Sequence, residues 1–464
     1  MSLSSFLPIQ CQGITSLPAG QLPHYAVDGQ TPQAAVRPAN CQQAASVLQW
    51  AAAEKLSVMP WGGGTQMSLG NSPSRYDLAL DLRGMNHLLD FQPNDLTCTV
   101  EAGMTLAGLQ AALAQGGKFL PLEAPLAERA TIGGVLAAGA SGPLRFAFGL
   151  PRDWLIGIGV VSGQGVMTRA GGKVVKNVTG YDLNKLYTGS LGTLGVIVEA
   201  TFKLSPLPAA FGALLARFDS MGQAVTAGQA LCAQVFAPQG LQVIAVGQIS
   251  GDKSPLTSLY ERGEGLTPPL QRGVGGIYAI AFFAGRPSAV KRRLEDSARF
   301  LPERGAKDLE RLEEAPARDL LHQLTDLGWS SESAPKLGLK ISVPPSAVGQ
   351  VVAMLEKSPL YESAVAGIIA DAGFGTVRLL RWGEEIPPWP KGGEKDSLMQ
   401  AIAALRAQVR ALGGAVVVEQ CPLEWKSQLD VWDDAPQGLE IMRRLKQKFD
   451  PQSILNPGRF LGRL

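Results

Sequence analysis

Two glycine-rich loops offer most of the chemistry in this sequence. The first, Trp61-Gly62-Gly63-Gly64-Thr65-Gln66, follows a stretch that reads as a strand. Consecutive glycines let successive main-chain N–H groups point into one concavity, an arrangement that binds anions such as phosphate. No Lys or Arg lies within that loop, so main-chain donors would do the holding. The second loop, Gly189-Ser190-Leu191-Gly192-Thr193-Leu194-Gly195, runs directly into the apolar stretch Val196 to Phe202. Three glycines at every third position argue against helix, where each costs about 1 kcal/mol. They allow a backbone to approach a ligand closely instead. Ahead of this loop stand Gly171-Gly172, a Lys176-Asn177 pair, a Gly180-Tyr181-Asp182 turn and a short helix, Leu183 to Tyr187. The pattern predicts a chain that lies against something flat and reads it with main-chain groups.

Other chemistries fail on spacing. Gly157-Ile158-Gly159-Val160-Val161-Ser162-Gly163 nearly matches the dinucleotide fingerprint, but its third glycine is one place late and it lies inside an apolar strand. No phosphate loop ending in Gly-Lys-Ser/Thr occurs. The three histidines, His24, His87 and His322, are scattered, which disfavours a histidine metal site or a Ser-His-Asp triad. Cys11, Cys41, Cys98, Cys232 and Cys421 show no metal-ligand or redox spacing, so neither iron–sulfur cluster nor disulfide framework is expected. A reducing compartment follows. A net charge of +2 argues against a nucleic-acid binder. The start of the chain lacks a basic and a long apolar region, so no signal peptide is expected, and no apolar run reaches membrane-spanning length. The expected location is cytoplasmic, or peripheral to the inner face of a membrane through a partner.

The elements that must position the loops are legible in order. At 464 residues, 45% hydrophobic and 18% charged, the chain should hold two or three ordered domains. Residues 1–33 read as an arm. A strand is expected at Ala34 to Val36, and a helix from Asn40, with Gln43 completing a capping box, to about Lys55. Further strands fall at Ser57 to Pro60, Asp77 to Leu82 and Thr97 to Ala102. Thr105 caps a helix ended by Gly116-Gly117. After Phe119-Leu120-Pro121-Leu122 come Thr131-Ile132-Gly133-Gly134 with an Ala/Gly-rich helical turn, and an irregular loop spanning Gly139 to Gly149. Trp154 to Ser162 is a buried strand and Gly163-Gln164-Gly165 a hairpin turn. A boundary is expected near Pro208. Beyond it the sequence predicts an α+β module with strands at Leu241 to Val246, Ile277 to Phe283, Leu339 to Val343, Val365 to Ala370 and Thr376 to Arg381. Helices follow Pro287 and Asp396, and long proline-rich loops span 251–275 and 383–396. A strand at Ala415 to Glu419, a helix from about Ala435 to Phe449 and FDPQSILNPGRF close the sequence.

The order of these motifs, over about residues 28–206 and again from Phe449 to Phe460, resembles the flavin-binding (PCMH-type) domain of the vanillyl-alcohol oxidase superfamily. Within it, the chain is most similar to the glycolate oxidase group and its E-type subunits. The resemblance implies an α+β fold: a two-lobed FAD-binding domain over 34–208, an α+β cap domain with an antiparallel sheet over 209–418, and a segment 419–464 that returns to the FAD domain. It implies FAD, with Trp61 and Gly62 to Gln66 cradling the pyrophosphate. Pro121, Thr131, Ile132, Gly133, Gly134, Gly139, Ser141, Gly142 and Gly149 would line the cofactor, Gly195, Val196 and Ile197 would meet the adenine and ribose, and Asn456 would bring the last segment back.

Departures from the pattern shape the function expected. Members that hold FAD covalently often place a histidine in the first glycine loop; Trp61-Gly62-Gly63-Gly64 has none, so a dissociable flavin is implied. D-type subunits carry GSEGTLG, whereas Leu191 stands in the glutamate's place here. They also carry histidines and a glutamate in the second domain as base and metal ligands, where this chain has only His322 and, in the corresponding strand, Glu419. No metal site is expected and no catalytic residue is assigned. The implied role is a FAD-binding subunit of a glycolate (2-hydroxy acid) oxidase complex, passing electrons to a sister flavoprotein or iron–sulfur subunit. Two alternatives stand beside it. One is a free-standing FAD-dependent oxidoreductase, with Lys340, Arg378 and Arg381 clamping a carboxylate; the other is a non-catalytic assembly subunit.

Overall fold

The computed structural model describes residues 11, 13–173, 181–246, 276–330, 334–362, 365–382, 394–433 and 438–464. Lys176, Asn177, Gly180 and the loop 251–275 lie outside them. The chain divides into two compact units. The first is assembled from residues 1–141, 150–207 and 423–464; the second takes 142–149 and 208–422.

The first unit has two lobes. One is a four-stranded sheet in the order β1-β2-β4-β3, with β1 Thr15–Ser16, β2 Ala34–Arg37, β3 Val58–Trp61 and β4 Leu78–Asp81. β4 runs parallel to both β2 and β3. The helix Cys41–Ala53 is capped by Asn40, whose side chain accepts from Gln43 N–H, while Gln43 Oε1 accepts from Ala39 N–H. Such a cap is worth about 1 kcal/mol. Within the expected arm, residues 13–33 are packed rather than free: β1 pairs with β2, and Leu17, Tyr25 and Val27 are buried against Trp61 and Met59. Its apolar residues lack period because a 3₁₀ turn, Ala19–Tyr25, delivers them singly.

The other lobe is antiparallel, in the order β5-β6-β10-β8-β9. It comprises β5 Leu88–Gln92, β6 Thr97–Glu101, β8 Leu155–Val161, β9 Met167–Gly171 and β10 Val196–Lys203, while β7 Lys118–Phe119 pairs separately with β11 Ser205–Pro206. β8 and β9 meet in the expected hairpin, with Gly165 at φ +73°. Thr105 and Thr131 cap the helices Leu106–Ala114 and Ile132–Ala138. Val161, Val196 and Val198 of this lobe share a core with Val36, Leu48, Leu80 and Leu455, so the lobes are packed together.

The second unit is built on an eight-stranded antiparallel sheet, order β15-β12-β14-β13-β17-β18-β16-β19. Its strands are β12 Ala210–Phe218, β13 Gly240–Val246, β14 Gly276–Gly285, β15 Lys307–Glu313, β16 Leu337–Ser342, β17 Ala366–Asp371, β18 Thr376–Arg381 and β19 Ala415–Gln420. β12 is absent from the sequence expectation because both its faces are covered, leaving no alternation to read. Phe211, Ala213 and Leu215 pack with Leu320 and Leu324 of the helix Ala315–Asp326, while Gly212 lies against Leu294 of the helix Pro287–Phe300. The segment 142–149 joins this unit through specific ties. Arg145 pairs with the buried Asp371 at 2.9 Å, and Ala147 N–H donates to Gln239 O at 3.1 Å. Glu419 and Gln420 likewise belong to β19 of this unit, and the first unit resumes at Leu423.

Candidate functional site

The two glycine loops face one another across a cleft in the first unit. Trp61, Gly62, Gly63, Gly64, Thr65 and Gln66 form one wall, and Gly195, Val196 and Ile197 another; Thr131, Gly133 and Gly134 sit between them. The space in this slot is about 770 Å³ out to its open mouth. Asn456 joins this lining from the segment that follows the second unit.

The glycines are required by protein as much as by any ligand. A Cβ on Gly62 would fall 2.1 Å from Thr131 Oγ1, and one on Gly63 would fall 1.8 Å from Arg129 O. The first loop therefore presses directly on the second lobe. Among the described residues, no hydrogen bond is donated by the main-chain N–H of Gly62, Gly63, Gly64, Thr65 or Gln66. Five successive donors are thus left for a ligand or water on a half-buried surface. In the facing loop, Thr193 N–H bonds to Ser190 O and Leu191 N–H to Ala137 O, fixing its curvature. Leu191 takes φ +51°, a conformation that costs a non-glycine residue about 1–2 kcal/mol. Asn456 Nδ2 donates to Leu191 O at 2.5 Å and helps to hold it there.

Residues 423–464 clasp this region. Lys426, 2% exposed, donates to Asp28 at 3.0 Å and to Ser68 O at 2.6 Å. Asn71 N–H donates to Arg459 O, and Ser74 N–H to Pro457 O. Val58 donates to Ile454 O and accepts from Asn456 N–H, extending β3 with a parallel bridge to Leu455. Lys446, on the helix Leu439–Phe449, is buried and donates to Thr193 O at 2.9 Å, Asp450 Oδ2 at 2.7 Å and Leu455 O at 2.8 Å. Burial lowers its pKa, opposed by the Asp450 charge. One ammonium thereby links the second glycine loop to the segment carrying Asn456.

Among the described lining residues absent from the sequence expectation, Arg459 is the charged one. It lines the cleft, is 3% exposed, and donates through Nη2 to Met67 O at 2.9 Å and to Leu69 O. Burial pulls its pKa down to about 10, opposed by Asp28 and Tyr76, so it stays charged at neutral pH. The signal was present in Asn456-Pro457-Gly458-Arg459, but nothing local announces which loop that arginine reaches.

The remaining expected residues lie elsewhere. Ile132 is buried in the second lobe's core. Pro121, Gly139 and Ser141 are in the first unit outside the cleft lining; Gly139, at φ +64°, packs against Gly189. Gly142 and Gly149 belong to the second unit. There, Lys340 and Arg378 are cross-strand neighbours on β16 and β18, and Arg378 pairs with Glu419 at 3.2 Å. Burial lowers the pKa of Lys340, opposed by Glu419. Arg381 pairs with Glu362 at 3.1 Å. His322 is exposed on its helix. Among the described residues no cluster of His, Cys, Asp and Glu could hold a metal, and no helix is long and apolar enough to cross a membrane.

Comparison with known proteins agrees with this architecture. Residues 32–171 match the family described as "FAD binding domain", and residues 431–460 match "FAD linked oxidases, C-terminal domain". The chain is 26% identical to glycolate oxidase subunit GlcD of Bacillus subtilis, covering 93% of this chain and 89% of that protein. Glycolate oxidase subunit GlcE of Escherichia coli is 42% identical, over 28% of this chain and 38% of its own length. A D-lactate dehydrogenase of Archaeoglobus fulgidus is 27% identical over 92% and 91%. The structure of p-cresol methylhydroxylase superposes with a TM-score of 0.69 at 18% identity, covering 96% of this chain and 93% of that one, and shares the fold.

Proposed function

The chain belongs to the FAD-binding PCMH-type oxidoreductases, and from that premise we propose that it is the FAD-binding subunit of a complex oxidising glycolate or a related 2-hydroxy acid. The observation that carries this reading is the slot with five free main-chain donors along one wall. It fits a dinucleotide on its own chemistry: an extended, anionic chain needs closely spaced donors and little breadth. FAD, when bound, supplies the two-electron acceptor; the protein supplies position and electrostatics. Trp61 to Gln66 would hold the pyrophosphate, Thr131, Gly133 and Gly134 would support it, and Gly195 to Ile197 and Asn456 would close over the nucleotide. None of the described residues lining the cleft is His, Cys or Tyr, which supports a flavin held without a covalent tether.

A supporting subunit suits what the described residues of the second unit show. Glu419 is bound to Arg378, and His322 faces outward, so neither is poised to take a proton from a hydroxy acid. A sister flavoprotein subunit or an iron–sulfur subunit would then take part in the chemistry. A second reading is favoured by the nearly full-length similarity to relatives named as dehydrogenases rather than as subunits: a free-standing oxidoreductase, with Lys340 and Arg378 receiving the substrate carboxylate.

The test is spectroscopic. Purified protein should show the visible flavin band, or acquire it on adding FAD, and release the flavin on denaturation. Anaerobic addition of glycolate, D-lactate or D-2-hydroxyglutarate should bleach the band only with the partner present. Bleaching by the isolated chain would select the second reading. Protein that neither carries nor takes up FAD would end both.

A further inference from the structure

Among the described residues lining the cleft, Arg459 is the one that carries a charge. Its position is costly as it stands. The guanidinium is almost fully buried, forms no ion pair among the described residues, and leaves Nη1 sealed from water without an acceptor. The carboxylate that acts on it electrostatically, Asp28, is already engaged by Lys426 and by Ser72 Oγ at 3.0 Å. Capping the carbonyls of Met67 and Leu69 needs one nitrogen and no charge. A buried cation with a spare donor, lacking an anion of its own, is a destabilising arrangement that persists where an anion arrives from outside.

We propose that Arg459 is the counter-charge for the diphosphate of the dinucleotide, with Nη1 as the donor in reserve and Nη2 kept on the loop carbonyls. The inference rests on the FAD-binding reading above and deepens it: the main-chain amides give shape, and Arg459 gives charge. Because Arg459 also anchors Met67 and Leu69, cofactor binding would tighten the clasp between residues 454–460 and the first glycine loop.

The test uses the full-length apoprotein and calorimetric titration with FAD, ADP and adenosine. Arg459→Met should weaken FAD and ADP alike by roughly ten- to hundredfold, the range for a charge-assisted hydrogen bond. Adenosine, which has no phosphate, should bind as in the wild type. Arg459→Lys should lie between. Arg459→Gln, which keeps a donor for the loop carbonyls, serves if the methionine variant does not fold, and should show the same phosphate-selective loss. Equal FAD affinity in wild type and variants overturns the inference alone. So does a variant that loses adenosine as strongly as ADP, because the contact would then be to the base or to the fold. A wild-type protein that binds neither FAD nor ADP refutes the parent reading.

Discussion

Replacing Lys446 with methionine should uncouple two walls of the cleft at once. The ammonium has three protons and three acceptors, on Thr193, Asp450 and Leu455, at 2.7–2.9 Å. Methionine fills much the same volume, so packing changes little. What remains is Asp450, fully buried, still accepting from Ile454 N–H at 3.1 Å and Leu455 N–H at 2.8 Å. Breaking a buried pair on one side costs about 3–5 kcal/mol. The amides that still hold Asp450 place this case near about 3 kcal/mol, with the orphaned carbonyls of Thr193 and Leu455 adding to it. Asp450→Asn alone should cost a similar amount, while the double variant should recover about 2 kcal/mol relative to the sum. Urea unfolding of the four proteins, read by fluorescence at neutral pH, gives the coupling energy directly. A Lys446→Met loss below about 1 kcal/mol, or strictly additive single losses, would refute the view that this pair ties the loop to the returning segment.

Three further outcomes follow from other sites. Gly63→Ala sets a Cβ 1.8 Å from Arg129 O, so the loop must shift; stability should fall by about 1–3 kcal/mol and FAD affinity with it, measured by thermal melts and flavin titration. Asp81 is buried, and although desolvation raises its pKa, hydrogen bonds from Arg83, Arg37 and Tyr25 outweigh this and hold it below 3.8. Its stabilisation is therefore present above the unfolded value and lost as pH falls through the lower folded value; Asp81→Asn should lower the melting temperature at pH 7 and flatten the acid limb. Arg145→Met strands Asp371 in the second unit, and should cost about 3–5 kcal/mol in that unit's unfolding transition, with Asp371→Asn restoring part of it.

Local signals were readable and distant ones were not. Asn40, Thr105 and Thr131 announce their helices because a cap bonds within three residues. The two glycine loops are local in the same way, whereas their meeting in one cleft depends on the packing of the two lobes. Arg459 and Lys446 act on residues hundreds of positions away; Lys446, among Arg443, Arg444 and Lys448, looks like part of an ordinary charged surface, and nothing beside Arg459 names its target. β15, reading KDLERLE with one buried side chain, has too little apolar content to register as a strand; pairing with β12 makes it one. The allegiance of 142–149 to the second unit depends on Arg145 meeting Asp371, a pairing with no counterpart in the local sequence.

The first unit is interrupted by more than two hundred residues of the second before it resumes at Leu423. During synthesis the glycine loops leave the ribosome long before Leu455, Asn456 and Arg459 exist. Until then β3 lacks the neighbour that Leu455 provides, and the loop Met67–Ser74 lacks its clasp. The nascent first unit must wait half-built while the second folds as a unit of its own. A ligand that needs both the glycine loops and Asn456 can therefore be gripped only after residues 454–460 have been made.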